Sequence, residues 1–127
     1  MRSSRRPIVN PLTLHGQAIG GVVQGLGGAF LEHLVYDANG QLLSGNLGDY
    51  LIPTATDFPK IRAIALENHR SPSNPLGVKG AGEAGNVGAL PAVANALVDA
   101  LSPLGIRHIE MPATPERLWR AMRAASR

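Results

Sequence analysis

The stretch that decides the fold is residues 16–36, GQAIGGVVQGLGGAFLEHLVY. At 100° per residue its apolar side chains fall on one side, so the sequence predicts an α-helix from about Gly16 to Tyr36. Each glycine costs a helix about 1 kcal/mol relative to alanine, and close packing against another helix or a bound ligand usually offsets that cost. We therefore expect a closely packed or ligand-facing stripe opposite the apolar side, formed by Gln17, Gly21, Gln24 and Gly28.

Turns and short strands are predicted after this helix. The sequence Asp37-Ala-Asn39-Gly40 is typical of a hairpin-type turn, with a positive φ at Asn39 or Gly40. Residues 41–50 read as short strand and loop, the partial alternation of residues 61–67 predicts a strand, and a further short strand is expected at 106–109.

Two more helices complete the predicted fold. One runs from Pro91 to Leu101, with the proline in its first turn. The other covers residues 115–124, because Thr114 is a good N-cap and Pro115 is favoured at the first helical position. Residues 71–88 are expected to be a loop. Together these elements predict a single α+β domain over residues 1–127, with about three helices and short strands.

Composition excludes several classes of protein. The chain has 127 residues, 44% of them hydrophobic and 17% charged, which is typical of a globular domain. It has no cysteine, which excludes disulfides and thiolate metal sites. The four histidines show no metal-ligand spacing, so we expect no metal held by side chains. Apolar runs are interrupted every few residues, so no transmembrane segment is expected. The absence of cysteine fits a cytoplasmic location, which is therefore expected.

The positive charge is concentrated near the two ends of the chain. The formal net charge is +3, and arginines cluster at residues 2–6 and 117–127. Such a distribution suits either a nucleic-acid module or simply solvated termini. No aromatic residues that would stack on bases alternate with these arginines, which favours solvated termini and no nucleic-acid partner.

A glycine-rich segment holds an isolated acid. Residues 80–85 spell G-x-G-x-x-G, but the preceding residues leave only 76–79 for the strand that a dinucleotide-binding fold requires. Glu83 lies in this segment and is the only acid between Glu67 and Asp99. A carboxylate flanked by glycines can approach a ligand with little steric obstruction. The alternative is an ordinary exposed loop glutamate.

Several specific motifs follow one another in order along the chain. They are Asn10-Pro11, Gly16-Gln17, Gly20-Gly21-x-x-Gln24-Gly25-x-Gly27, Asp49-Tyr50-x-x-Pro53, NPLGVKGAGEAG at 74–85 and Pro112-x-Thr114-Pro115-Glu116-Arg117. Together they resemble the molybdenum-binding large subunit of the xanthine dehydrogenase and aldehyde oxidase family. The last two motifs look most like the aerobic carbon monoxide dehydrogenase large-chain branch. The match runs from about Pro7 to Met122 and implies the C-terminal part of a much longer subunit.

The resemblance implies roles for individual residues. Glu83 matches the family's catalytic glutamate, which acts as a general base beside the metal or, in the carbon monoxide branch, as an outer-sphere group. Gln17 matches a glutamine that contacts the pterin, and Gln24 either contacts it or packs within the helix stripe. Lys79 is expected to approach the cofactor, together with the backbone of Gly80 and Gly82.

The resemblance also implies the cofactor and the partners. The assembled enzyme would hold molybdenum on molybdopterin, as the cytosine dinucleotide, and would include the remaining large-subunit portion, an iron–sulfur subunit and an FAD subunit. The chain alone is expected to hold no cofactor and to be inactive. The alternative is a truncated, inactive α+β domain that self-associates through apolar surface.

Overall fold

The computed structural model describes residues 8–58 and 60–126. Three α-helices follow one another along the chain: α1 (Pro11–Phe30), α2 (Ala84–Leu101) and α3 (Pro115–Ala125). A short 3-10 helix, Ser102–Leu104, continues α2.

The predicted strands are not confirmed. The only β-pairing among the described residues is one isolated antiparallel bridge between Tyr36 and Leu42. Residues 61–67 and 106–109 have the apolar content of strands, but a strand needs a neighbour to accept its backbone hydrogen bonds, and the described part of the chain provides none. The structure is therefore three helices with almost no strand, and the α+β assignment is not confirmed.

Helix α1 begins five residues before the predicted start. Asn10 is its N-cap, and its side-chain oxygen accepts a hydrogen bond from the Thr13 N–H at 3.1 Å. Pro11 then occupies the first helical position, where its missing N–H and restricted φ are favourable. The helix ends at Phe30 rather than Tyr36, and the next amides, of Leu31 and Glu32, both donate to the Gly27 carbonyl.

Helices α1 and α2 pack together through small residues. A Cβ added to Gly85 would stand 2.5 Å from the Ala18 carbonyl oxygen, and one added to Gly21 would stand 3.0 Å from the Asn86 nitrogen. A Cβ at Gly25 would stand 2.7 Å from the Ala89 Cβ. The predicted close packing of the stripe is thus confirmed at Gly21. The buried residues of α1 are Gly25, Gly27 and Ala29, whereas the large apolar residues of the helix are partly buried or, at Leu12, exposed.

Helix α2 begins at Ala84, seven residues before the predicted start. Glu83 is its N-cap residue, and Pro91 lies inside the helix rather than in its first turn. The proline removes the backbone hydrogen bond to the carbonyl four residues earlier, but the helix continues past it to Leu101. Residues 84–88 were expected to belong to a loop and are helical instead.

The predicted start of α3 at Pro115 is confirmed, and the helix ends one residue later than predicted. The Thr114 hydroxyl accepts from the Arg117 N–H at 3.3 Å, and Pro115 is the first helical residue. The Arg117 guanidinium donates to the Pro112 carbonyl at 3.2 Å and to Nε2 of His33 at 3.1 Å. These contacts tie the start of α3 to the chain that follows α1.

The turn after α1 is also confirmed. Gly40 has a φ of 81°, as predicted for one of the two turn positions. The Asp37 carboxylate accepts hydrogen bonds at 2.8 Å from the amides of Asn39 and Gln41, which closes the turn.

Large apolar side chains remain widely exposed. Among the described residues only Ala29, Leu101 and Ala113 form a buried apolar core, while Leu12 and Leu66 are 84% and 80% exposed. By length and composition alone, the segment Ala84–Leu104 is apolar enough to cross a membrane, with a mean hydropathy of 1.4. A single helix of this kind is weak evidence, so the expected absence of a transmembrane segment is only weakly supported.

Candidate functional site

The described chain surrounds a cleft of about 730 Å³, here called the α1 cleft. Its walls are the first half of α1, a segment that follows residue 60, and the glycine-rich loop before α2. The lining residues are 8–10, 13–15, 17–18, 63–67, 69, 76–82 and 84. The start of α1 and two later segments between residues 63 and 84 therefore converge on one concave surface.

Gln17 lies on the α1 wall of this cleft. It is one turn before Gly21, where α1 comes into contact with α2. Its side chain is exposed and makes no hydrogen bond to another described residue, so its amide can both donate to and accept from a ligand. Gln24, two turns further along α1, is exposed and lies outside the cleft. The structure therefore separates the two predicted glutamines.

Asn74 holds the loop that forms the opposite wall. Its side-chain amide donates to the Val78 carbonyl at 3.0 Å, and its side-chain oxygen accepts from the Val78 N–H at 3.1 Å. Gly77, which lies between these two residues, has a φ of 69°, which favours glycine. The two hydrogen bonds fix the point from which the chain enters the cleft. Sequence reasoning assigned Asn74 no such role, although an Asn before a proline and a glycine is a recognisable turn signal.

Lys79, Gly80 and Gly82 follow the turn that Asn74 and Val78 close, and they line the cleft. Added Cβ atoms at the two glycines would meet nothing within 4 Å. No described backbone group bonds to the amides of residues 80–82. The loop thus presents an ammonium group and several available N–H donors to the cleft.

Glu83 lies at the edge of the cleft, where the loop becomes α2. Its neighbours Gly82 and Ala84 line the cleft, whereas Glu83 does not. The side chain is exposed and makes no capping hydrogen bond to α2. The desolvated environment expected for a catalytic carboxylate is therefore not provided by the described residues.

The third wall contains cleft residues that sequence reasoning missed. Glu67 accepts a hydrogen bond from the Ile8 N–H at 3.1 Å, which joins this wall to the start of α1. His69, just after this stretch, and His15, on α1, also line the cleft. The partial alternation of residues 61–67 is the signal that could have placed Glu67 at a surface. Across residues 8–58 and 60–126, no three His, Asp or Glu side chains converge as metal ligands.

Comparison with known proteins gives the family. The model of a molybdopterin cofactor-binding domain matches residues 7–59. The 6-hydroxypseudooxynicotine dehydrogenase complex subunit gamma of Paenarthrobacter nicotinovorans is 41% identical over 112 residues, which is 88% of this chain and 14% of that subunit. The carbon monoxide dehydrogenase large chain of Hydrogenophaga pseudoflava is 36% identical over 91% of this chain and 14% of its own length.

The fold agrees with these sequence matches. The structure of reconstituted carbon monoxide dehydrogenase from Oligotropha carboxidovorans superposes with a TM-score of 0.87 at 34% identity, over 93% of this chain and 15% of that one. The chain thus spans about 14% of the length of the curated relatives that it matches. It belongs to the family of molybdopterin-binding large subunits that includes carbon monoxide dehydrogenase and xanthine dehydrogenase, and it corresponds to one part of such a subunit.

Proposed function

We propose that this chain supplies one wall of the molybdopterin pocket and the active-site glutamate, Glu83, of a molybdenum hydroxylase large subunit that oxidises or hydroxylates a small substrate. The observation that carries the proposal is the convergence of Gln17, the 79–82 loop and the start of α2 around one cleft. The family match over about 90% of the chain supports the same assignment.

The donor groups of the cleft fit such a cofactor. A pterin carries ring nitrogens and a carbonyl that need hydrogen-bond partners, and its phosphates need cationic or N–H donors. Gln17 offers an amide, Lys79 offers an ammonium group, and residues 80–82 offer backbone N–H groups that bond to no described backbone. Because no side chain fills the space above Gly80 and Gly82, a flat ligand can lie directly on the backbone. Gln24 is exposed and lies outside the cleft, so we propose no cofactor contact for it.

The bound cofactor would supply molybdenum redox chemistry, and Glu83 would supply the base. A catalytic base must be placed at the reacting centre, and its acceptor atoms must not be occupied by structural hydrogen bonds. Glu83 satisfies the second condition, because its carboxylate makes no capping bond at the start of α2. The first condition, placement at the reacting centre, would be met when the remaining portion of the large subunit closes the open side of the cleft beside Glu83. The same closure would remove water from the carboxylate.

The length of the relatives supports the remaining large-subunit portion as a partner. We propose from the family resemblance that the complex also includes an iron–sulfur subunit and an FAD subunit, in the cytoplasm, with the cofactor as the cytosine dinucleotide. The isolated chain would hold no cofactor, because one wall of a pocket retains little of the affinity of the whole.

Glutamine substitution tests the role of Glu83. In an enzyme assembled with the remaining large-subunit portion, Glu83→Gln should retain molybdenum and the fold but lose turnover by about 10²–10⁴, the usual contribution of a general base. The loss should appear mainly in kcat, because glutamine preserves the shape of the side chain but cannot take the proton.

The matched control is Glu110→Gln. Glu110 is exposed, makes no described hydrogen bond and lies outside the cleft, so turnover should not change. Glu67 is a poor control because it lines the cleft and holds the Ile8 amide. Equal turnover of the Glu83 and Glu110 variants would refute the assignment, and loss of molybdenum from Glu83→Gln alone would indicate a structural role.

A second candidate is an inactive domain that self-associates. The wide exposure of Val9, Leu12 and Leu66, at 82%, 84% and 80%, favours it, because such surfaces tend to find partners. Light scattering that shows dimers of the pure chain, together with no binding to the remaining large-subunit portion, would decide for this candidate.

A further inference from the structure

Residues 60–70 form a segment without a partner strand. They contain no helix, turn or bend, so the chain runs through them without a sharp change of direction. Between Lys60 and Arg70, no backbone group bonds to another described backbone group. The one hydrogen bond that anchors the segment uses the Glu67 side chain. Both edges of its backbone therefore remain available within the described structure.

Both faces of this segment carry apolar side chains. Ala63 and Ala65 alternate with Ile64 and Leu66, and all four line the α1 cleft. Ile64 and Leu66 nevertheless remain 66% and 80% exposed. A strand that is apolar on both faces is typical of a sheet covered on both sides, whereas a strand with one solvated face alternates apolar and polar residues.

We propose that residues 61–67 form a strand that pairs along its backbone with an extended apolar strand of the remaining large-subunit portion, the partner assumed in the proposed function. Available N–H and C=O groups on an edge are the usual basis of strand addition between chains. The same pairing would cover Ile64 and Leu66 with the layer behind the partner strand.

The comparisons favour this occupant over a second copy of the chain. The chain superposes with a TM-score of 0.87 on a segment that makes up 15% of a much longer chain, so in that relative the rest of one polypeptide is available to surround it. A second copy would bring only an identical edge, with the same exposed Ile64 and Leu66, and would leave the cleft beside it open.

Amide hydrogen exchange tests the pairing directly. The full chain is co-expressed with the 6-hydroxypseudooxynicotine dehydrogenase subunit gamma from which the matching segment has been deleted, and the complex is purified. The amides of residues 61–67 should exchange rapidly in the isolated chain and at least 100-fold more slowly in the complex. Amides on the exposed side of α3 should change much less.

Proline substitutions identify the edge that pairs. Neighbouring residues of a strand direct their N–H groups to opposite edges, so Ala65→Pro and Leu66→Pro each remove a donor from a different edge. At least one of them should reduce complex formation more than tenfold. Neither should reduce the helix signal of the isolated chain, because the amides lost are unpaired there. Leu66→Val keeps the N–H and the apolar character and should assemble normally.

Each outcome separates this inference from the proposed function. A complex that forms without protection of residues 61–67, or that tolerates both prolines, overturns the strand pairing and leaves the proposed function standing. Failure of the unmodified chain to form the complex overturns both. Protection that rises with the concentration of the pure chain assigns the edge to a second copy and overturns the occupant proposed here.

Discussion

The contact between α1 and α2 gives the sharpest test of the fold, through Gly85→Ala and Gly88→Ala. Both glycines belong to α2, three residues apart. A methyl group at Gly85 would stand 2.5 Å from the Ala18 carbonyl oxygen and 2.9 Å from the Val22 nitrogen, whereas one at Gly88 would meet nothing within 4 Å. Both atoms near Gly85 are backbone, so they cannot move without shifting α1.

The two substitutions should change the free energy of unfolding differently. Gly88→Ala should stabilise the chain by about 1 kcal/mol, because alanine is the better helix former. Gly85→Ala gains at most the same amount but incurs an overpacking cost of about 1–3 kcal/mol, so it should be neutral to clearly destabilising. Thermal unfolding followed by far-UV circular dichroism should rank Gly88→Ala above the unmodified chain and Gly85→Ala at or below it. Equal stabilisation by both alanines would show that the helices do not pack as described.

Two further substitutions test local interactions. Thr114→Ala should destabilise the start of α3 by about 1 kcal/mol, because it removes the hydroxyl that accepts from the Arg117 N–H. NMR shifts of residues 115–125 should show fraying of the helix. The control is Thr13→Ala, which should not fray α1 because the Thr13 hydroxyl makes no described hydrogen bond. The hydrogen bond from the Tyr50 hydroxyl to Glu32 raises the pKa of Tyr50 above its ordinary 10.0. The stability that this bond contributes is therefore fully present below pH 10.0 and is lost as the pH rises through the higher pKa of Tyr50 in the folded chain. In a Tyr36→Phe background, ultraviolet titration should show that Glu32→Gln lowers the pKa of Tyr50, and an unchanged titration would exclude the hydrogen bond.

Capping signals explain one accurate and one inaccurate prediction of a helix start. Thr114-Pro115 correctly predicted the start of α3, because an N-cap side chain and an N1 proline act locally. Asn10-Pro11 is the same signal and marks the start of α1, whereas the prediction from periodicity begins that helix at Gly16. That helix boundary was therefore readable from the sequence.

The start of α2 was not readable in the same way. Residues 84–90 include two glycines, and Pro91 is a favoured first residue, so local propensity predicted a later start. Contact with α1 overrides that propensity, because Gly85 and Ala89 are small enough to let the two backbones approach. Glu83 consequently stands at a helix N-terminus rather than in the middle of a loop.

The sequence by itself determined the three helices, the turn at Gly40 and the family, because each depends on local spacing or on ordered motifs within this chain. It also indicated Gln17 and the 79–82 loop as cofactor ligands, and the tertiary structure brought them to one cleft while leaving Gln24 outside it. Only the tertiary structure decided that residues 61–67 remain an unpaired segment, since a strand requires a neighbour and local sequence cannot show whether one is present. The same limit applies to Glu83: its position at the cleft edge follows from the packing of α2 on α1, and its exposure follows from what the described residues leave uncovered.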